Sequence, residues 1–235
     1  KIPAGLEGSK IFMKDICSKY NIPTAAYKSF KEKKLACDYL KSHTFPVVIK
    51  ASGLAAGKGV TIATSLNDGL LAINDIFNDK FGSGCELVIE EFMDGEEASY
   101  FVFTDGTNYI PLSSAQDHKR IGDGDTGPNT GGMGAYSPAP VFTKKIQKQV
   151  DQEMIEPTLR AMRDLGSPYQ GILYAGVMIK NNKAKLVEYN VRFGDPECQV
   201  LMLRLKSDIV DLILGTINGN ISSIKTNWAN NHAAT

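Results

Sequence analysis

The chain has 235 residues, is 43% hydrophobic, and balances 26 Lys and Arg against 26 Asp and Glu. That length supports one large domain or two packed subdomains, and a net charge of zero builds no field for nucleic acid or an acidic membrane. The scattered Cys17, Cys37, Cys85 and Cys198, with only three histidines, argue against a zinc site and for reduced thiols in a cytoplasmic protein. No apolar run approaches the ~20 residues of a membrane span. The sequence opens at Lys1 without a methionine or a signal-peptide pattern, as expected of a piece of a longer polypeptide.

Ser9 to Tyr20 reads as a helix with Ser9 as N-cap and Phe12, Ile16 and Tyr20 on one face. Asn21-Ile22-Pro23 stops it, and Thr24 to Phe30 reads as a short strand. Glu32 to His43 is a second helix, with Leu35, Tyr39 and Leu40 inward. Pro46 to Lys50 is a β-branched strand, followed by a glycine-rich turn from Gly53 to Gly59 and a strand at Val60 to Ala63. Ser65 to Asn78 reads as a helix with Leu70, Ile73 and Phe77 on one side, and Leu87 to Ile89 as another strand. The glycine-rich stretch Gly82 to Glu86, with the linker to Glu97, is a candidate subdomain boundary. A hairpin is expected over Ser99 to Leu112 around Thr104 to Thr107. Gln116 to Pro140, rich in Gly and Pro, reads as a long loop, of a length that is usually functional or disordered. Thr143 to Leu165 is a helix kinked near Pro157. Ile172 to Ile179 and Lys185 to Phe193 form a hairpin turning at Asn181-Asn182. Helices follow from Pro196 and over Ser207 to Ile217, and the tail after Gly219 is polar. Hairpins outnumber crossovers, which points to an α+β fold.

The most informative spacing is Glu188, Asn190 and Arg192. Side chains two apart on a strand share a face. One face therefore carries a carboxylate, an amide oxygen and a guanidinium, while Val187, Tyr189, Val191 and Phe193 suit a core. The oxygens are hard ligands of the type Mg²⁺ takes, and an arginine suits a phosphate or carboxylate. The spacing alone equally fits a solvated strand face with a surface ion pair.

Small residues in Gly53 to Gly59, flanked by Lys50 and containing Lys58, let backbone amides approach an anion. The spacing is not that of a Walker A loop, and a surface turn is the alternative. Lys50 ends a strand as a kinase nucleotide lysine does, but no kinase catalytic loop accompanies it. The acidic run Glu90, Glu91, Phe92, Met93, Asp94, Gly95, Glu96, Glu97 could offer backbone groups to an adenine edge and a carboxylate to ribose, or simply be a solvated turn. Asp117, His118, Lys119 and Arg120 crowd together. The following Gly127 to Tyr136 run is a candidate lid or anion nest and lacks the EF-hand pattern.

Taken in order, GLEGSK, KASGLAAGKGV, EEFMDGEEAS, AQDHKR, GPNTGGMGAYSPAP, GILYAGVM and EYNVRFGDPE resemble the glycinamide ribonucleotide synthetases (phosphoribosylamine–glycine ligases), which are ATP-grasp enzymes of purine synthesis. The likeness runs from about Gly5 to Asp211. It implies two α+β subdomains clasping ATP: a leading segment and first helix over 1–25, a smaller lid over 26–97, a larger subdomain with the metal and substrate site over 98–220, and a tail over 221–235. It also implies N- and C-terminal domains outside this span. In animals the enzyme is usually the first part of a trifunctional polypeptide.

Carried over by resemblance, Lys14 and Lys50 contact phosphates, and the loop with Gly57, Lys58 and Gly59 covers them. Glu90, Glu91, Phe92 and Met93 meet adenine mainly through backbone, and Glu97 meets ribose. Glu188 and Asn190 hold Mg²⁺ (or Mn²⁺), and Arg192 stabilises the transferred phosphoryl group. Asp117, Lys119 and the Asn129 to Gly134 run lie near glycine and 5-phosphoribosylamine. Catalysis is thus expected to rest on Arg192, Lys50 and Asp117. The strand Ile172 to Ile179 lacks the second metal-ligating acid common in this class. Metal binding then rests on Glu188 and Asn190 with phosphate oxygens and water, or on an acid elsewhere. Two alternatives stand beside this reading: an ATP-grasp ligase for another carboxylate, and a nucleotide-binding fragment inactive without its flanking domains.

Overall fold

The computed structural model describes residues 2–53, 59–78, 80, 86–123 and 126–235. The expected boundary stretch at 82–85 and the loop residues 54–58 lie outside them, Gly57 and Lys58 included.

A short helix, α1 (Gly5–Gly8), leads into α2 (Lys10–Lys19). Ser9 caps α2, its Oγ accepting from the Phe12 amide at 3.2 Å. Asn21, at φ 55°, turns the chain out of the helix. There follow β1 (Tyr27–Phe30), α3 (Lys33–Leu40), β2 (Val47–Ser52), β3 (Val60–Ala63), α4 (Leu66–Phe77) and β4 (Glu86–Glu91). These strands make an antiparallel sheet in the order β1-β4-β2-β3. Helices α3 and α4 close one face over Leu40, Val47, Ile49, Ile73 and Ile89. Leu35, expected inward, is 54% exposed. Ala36 and Leu40, one turn apart, define the buried stripe, and Leu35 sits about 100° round the helix from Ala36.

The rest of the chain is β5 (Glu96–Asp105), β6 (Tyr109–Gly122), β7 (Thr126–Ser137), α5 (Lys144–Val150), a π-helical turn (Asp151–Ile155), α6 (Glu156–Asp164), β8 (Gln170–Lys180), β9 (Lys183–Asn190), α7 (Glu197–Arg204), α8 (Ile209–Ile217), a 3₁₀ turn (Ile221–Ser223) and β10 (Ala233–Ala234). The strands form a second antiparallel sheet, ordered β10-β7-β6-β5-β8-β9. Both its faces are covered. Tyr100 and Val102 point into a core with α2, α5 and α6, whereas Phe101 and Phe103 point to one with α7 and α8. The π-helical turn just precedes Pro157, which has no N–H to donate and whose ring crowds the preceding turn.

Two expectations are corrected. Gln116 to Pro140 is not a loop: most of it is the end of β6 and all of β7, paired Gln116↔Tyr136, Asp117↔Ala135 and His118↔Gly134 with register shifts farther along. Two of its glycines allow close approach of neighbouring backbone and side chains. A Cβ on Gly134, at φ 159°, would lie 2.5 Å from the Thr235 carbonyl oxygen, and one on Gly132 would lie 2.8 Å from Pro196. Secondly, Val187 does not enter the core. A bulge shifts the register between Gly176↔Glu188 and Val177↔Leu186, so Leu186 is buried and Val187 faces the cleft described below. The polar tail packs back on the larger sheet. Ile221 is buried, and β10 extends the sheet beside β7.

Candidate active site

A cleft of about 540 Å³ opens between the two sheets, within the range of small-molecule sites. On the smaller-sheet side, β2 contributes Lys50 and β4 contributes Glu90. Val48 pairs with Glu90, so Lys50, two residues on, lies on the same face as that carboxylate. Lys50 Nζ is 3.0 Å from Glu90 Oε2, and Lys14 Nζ, from α2, is 3.3 Å from the same oxygen. All three side chains are buried: Lys14 is 0% exposed, Glu90 2% and Lys50 6%. Lys14 also donates to Thr24 Oγ1 at 2.8 Å and to the Ala25 carbonyl at 3.4 Å, while Thr24 Oγ1 donates to the Leu186 carbonyl. Burial pushes the Lys14 ammonium below the usual lysine range, and the attraction of Glu90 only partly offsets this. Glu90 Oε1 is buried and, among the described residues, accepts no hydrogen bond.

Lys10, one turn before Lys14, does line the cleft and donates to the Gly53 carbonyl at 3.2 Å. Burial lowers its pKa as well. Phe92 and Met93 form part of the wall, and the Glu91 carboxylate pairs with Lys185 of β9 at 2.7 Å. Gly59 lines the cleft too, and its carbonyl accepts from the Ala51 amide at 2.8 Å.

On the larger-sheet side, β9 presents Glu188 and Asn190, and β5 and β6 present Glu97, Asp117 and Lys119. Lys119 Nζ lies 2.7 Å from Glu97 Oε1 and 3.5 Å from Asp117 Oδ2. Burial alone would lower the Lys119 pKa, but the two carboxylates outweigh it and hold it above the ordinary lysine value. Burial raises Asp117, with Lys119 opposing. Arg192 lies just past the end of β9, its Nη2 3.3 Å from Asn190 Oδ1. Asn129 sits in β7 at the position facing Arg120.

The structure therefore brings Lys50, Gly59, Glu90 to Met93, Glu97, Asp117, Lys119, Glu188, Asn190 and Arg192 around one space, whereas Lys14, expected there too, is fully buried behind Glu90 and does not line it. Lys10 and Glu197 join them. Lys10 was recoverable from its i, i+4 spacing to Lys14. Glu197, buried in the first turn of α7, lines the cleft, and its Oε1 accepts from Tyr174 Oη at 2.7 Å and Ser99 Oγ at 3.1 Å. Among the described residues no group of three His, Cys, Asp or Glu is arranged to hold a metal. The donors present, one carboxylate and one amide oxygen on β9, are hard and leave most of a coordination shell to other oxygens, which fits Mg²⁺ beside a polyphosphate.

Comparison with known proteins shows the family. The family model for the ATP-grasp domain of phosphoribosylglycinamide synthetase matches residues 8–198. The chain belongs to this family. It is 53% identical to the phosphoribosylamine–glycine ligase of Brucella melitensis over 99% of this chain and 55% of that protein. It is 55% identical to the chloroplastic phosphoribosylamine–glycine ligase of Arabidopsis thaliana over 98% of this chain and 44% of that one. The crystal structure of the phosphoribosylamine–glycine ligase of Thermotoga maritima superposes with a TM-score of 0.86 at 35% identity, covering 92% of this chain and 55% of that one. The α+β ATP-grasp fold is thus that of the family. The chain spans about half the length of the relatives it matches.

Proposed function

We propose that this chain is the nucleotide-binding core of an ATP-dependent ligase that joins glycine to 5-phosphoribosylamine, giving glycinamide ribonucleotide, ADP and phosphate. One observation carries the reading: a single buried carboxylate, Glu90, is shared by two buried lysines across a cleft from Glu188, Asn190 and Arg192. Such cationic and hard-oxygen groups facing one space suit a magnesium-bound triphosphate.

In this reading Lys50 meets the phosphates, and Lys14, sharing Glu90 with it, acts from behind. Glu90 to Met93 meet adenine mainly through backbone. Glu97, whose Oε1 is engaged by Lys119, leaves Oε2 for ribose. Glu188 and Asn190 hold the metal, and Mg²⁺ when bound supplies charge neutralisation across the phosphoryl oxygens. A glycine carboxylate oxygen attacks the γ-phosphorus, the bond to the β,γ-bridging oxygen breaks, and ADP leaves. Arg192 and Lys50 offset the charge that spreads over the transferring group. The amine of phosphoribosylamine then attacks the glycyl phosphate carbonyl carbon, releasing phosphate and a proton. Asp117, Lys119 and the Asn129–Gly134 segment of β7 adjoin these two substrates. No protein nucleophile is required, so the chain's task is to orient, neutralise and keep water from the acyl phosphate.

No described helix is long and apolar enough to cross a membrane, and Cys17, Cys37 and Cys198 are unpaired, which supports a cytoplasmic setting. The test is ADP formation by this chain joined to the flanking segments its relatives carry. ADP release should require Mg²⁺, glycine and phosphoribosylamine together. Equal turnover with another carboxylate would assign a different ligase, and ATP binding without turnover would leave only a binding module.

A further inference from the structure

Strand β9 gives up its ladder at Asn190, which pairs with Tyr174, so the Val191 amide has no strand partner. Glu7, from α1 at the far end of the sequence, supplies one. Its Oε2 accepts from Val191 N at 2.9 Å and its Oε1 accepts from Arg192 Nε at 3.0 Å. One carboxylate thus grips the backbone of one residue and the side chain of the next. The remaining arginine nitrogens are also held: Nη1 donates to the Phe193 carbonyl at 2.9 Å and Nη2 to Asn190 Oδ1 at 3.3 Å. Beside Glu7, Leu6 is buried in the larger core, which anchors α1.

As a stabilising ion pair this contact counts for little, because Arg192 is 57% exposed. As an orienting device it does more. An arginine held at Nε has its fork fixed in one plane, and here the outer nitrogen reaches Asn190 Oδ1 within the cleft. We propose that Glu7 is a positioning residue. It sets the guanidinium of Arg192 and the end of β9 so that Arg192 meets the transferring phosphoryl group, an inference that rests on the phosphoryl-transfer reading of Arg192 given above.

The test is a cycle of Glu7→Ala, Arg192→Ala and the double variant in the full polypeptide with its flanking segments, read by steady-state kinetics. A misplaced catalytic group typically slows the chemical step by about 10- to 100-fold. Glu7→Ala should lower kcat by that order while KM for ATP stays within about twofold, since its effect is confined to the transition state. The double variant should be no slower than Arg192→Ala alone, because the two act as one unit. Glu7→Gln, which keeps an acceptor for the Val191 amide but loses the charge facing Nε, carries the same cycle if Glu7→Ala folds poorly. Wild-type kcat in the Glu7 variants, or losses that simply add, would overturn the inference. Wild-type turnover in Arg192→Ala would instead overturn the reading of Arg192 itself.

Discussion

The Glu90→Gln variant tests how the cleft is held together. The carboxylate is the common anion of Lys14 and Lys50, at 3.3 and 3.0 Å, and all three groups are buried. Replacing it by an amide leaves two ammonium groups against a neutral partner. Removing one member of a buried ion pair costs about 3–5 kcal/mol. In a chain of this size each kcal/mol moves the melting temperature by about 2–4 °C, so Glu90→Gln should melt roughly 6–20 °C lower at neutral pH. The loss should also depend on pH, with a definite sign. Burial already holds Lys14 below its ordinary value of 10.5, and Glu90 is the main group opposing that. Without Glu90 the folded-state pKa falls further, while the unfolded chain still titrates at 10.5. Between those two values the unfolded state binds more protons, so stability rises with pH. The variant's deficit should be full below its own folded pKa and shrink as pH climbs to the wild type's lowered value, above which both proteins gain alike. Thermal melts of both proteins across that span measure it. A melting temperature within about 1 °C of wild type at neutral pH, or a deficit indifferent to pH, would refute the shared-carboxylate account.

Tyr174→Phe removes the hydroxyl that donates to Glu197 Oε1 at 2.7 Å beside Ser99, and should cost about 1.5–3 kcal/mol in urea unfolding with an unchanged m-value. Asp151, in the π-helical turn, has its pKa raised from 3.8 to about 6, chiefly by burial, while the hydrogen bond from Tyr100 works the other way. The folded state then binds more protons than the unfolded across that window, so wild-type stability falls as pH rises through it. Asp151→Asn keeps an acceptor for Tyr100 and should gain on wild type between pH about 4 and about 6, then hold that advantage. Parallel stability profiles for the two proteins would contradict this.

Much of the fold is legible because local rules and tertiary structure agree. Ser9 caps α2, and Asn181 and Asn182, at φ 52° and 55°, make the β8–β9 turn that asparagine favours. The long β6–β7 hairpin is not legible. Its glycines read locally as loop, whereas the sheet uses them to let Thr235 and Pro196 come close. The bulge that turns Val187 into the cleft is likewise set by pairing with β8, not by the alternation of β9. The same distinction separates the site residues. Glu188, Asn190 and Arg192 announce themselves by two-residue spacing. Glu7 acquires its role through a contact 185 positions away, and Glu197 through Tyr174 and Ser99 on two other strands. Side chains whose partners are distant in sequence carry no local signal.

Binding of a magnesium–nucleotide in this cleft turns on β9. Calorimetric titration of the chain, joined to its flanking segments, with ATP in the presence and absence of Mg²⁺ and alongside Glu188→Gln tests it most directly. Binding should depend on Mg²⁺ and be weakened about tenfold or more by the substitution, a difference of at least ~1.4 kcal/mol. Equal affinity with and without the metal, unchanged in Glu188→Gln, would contradict it.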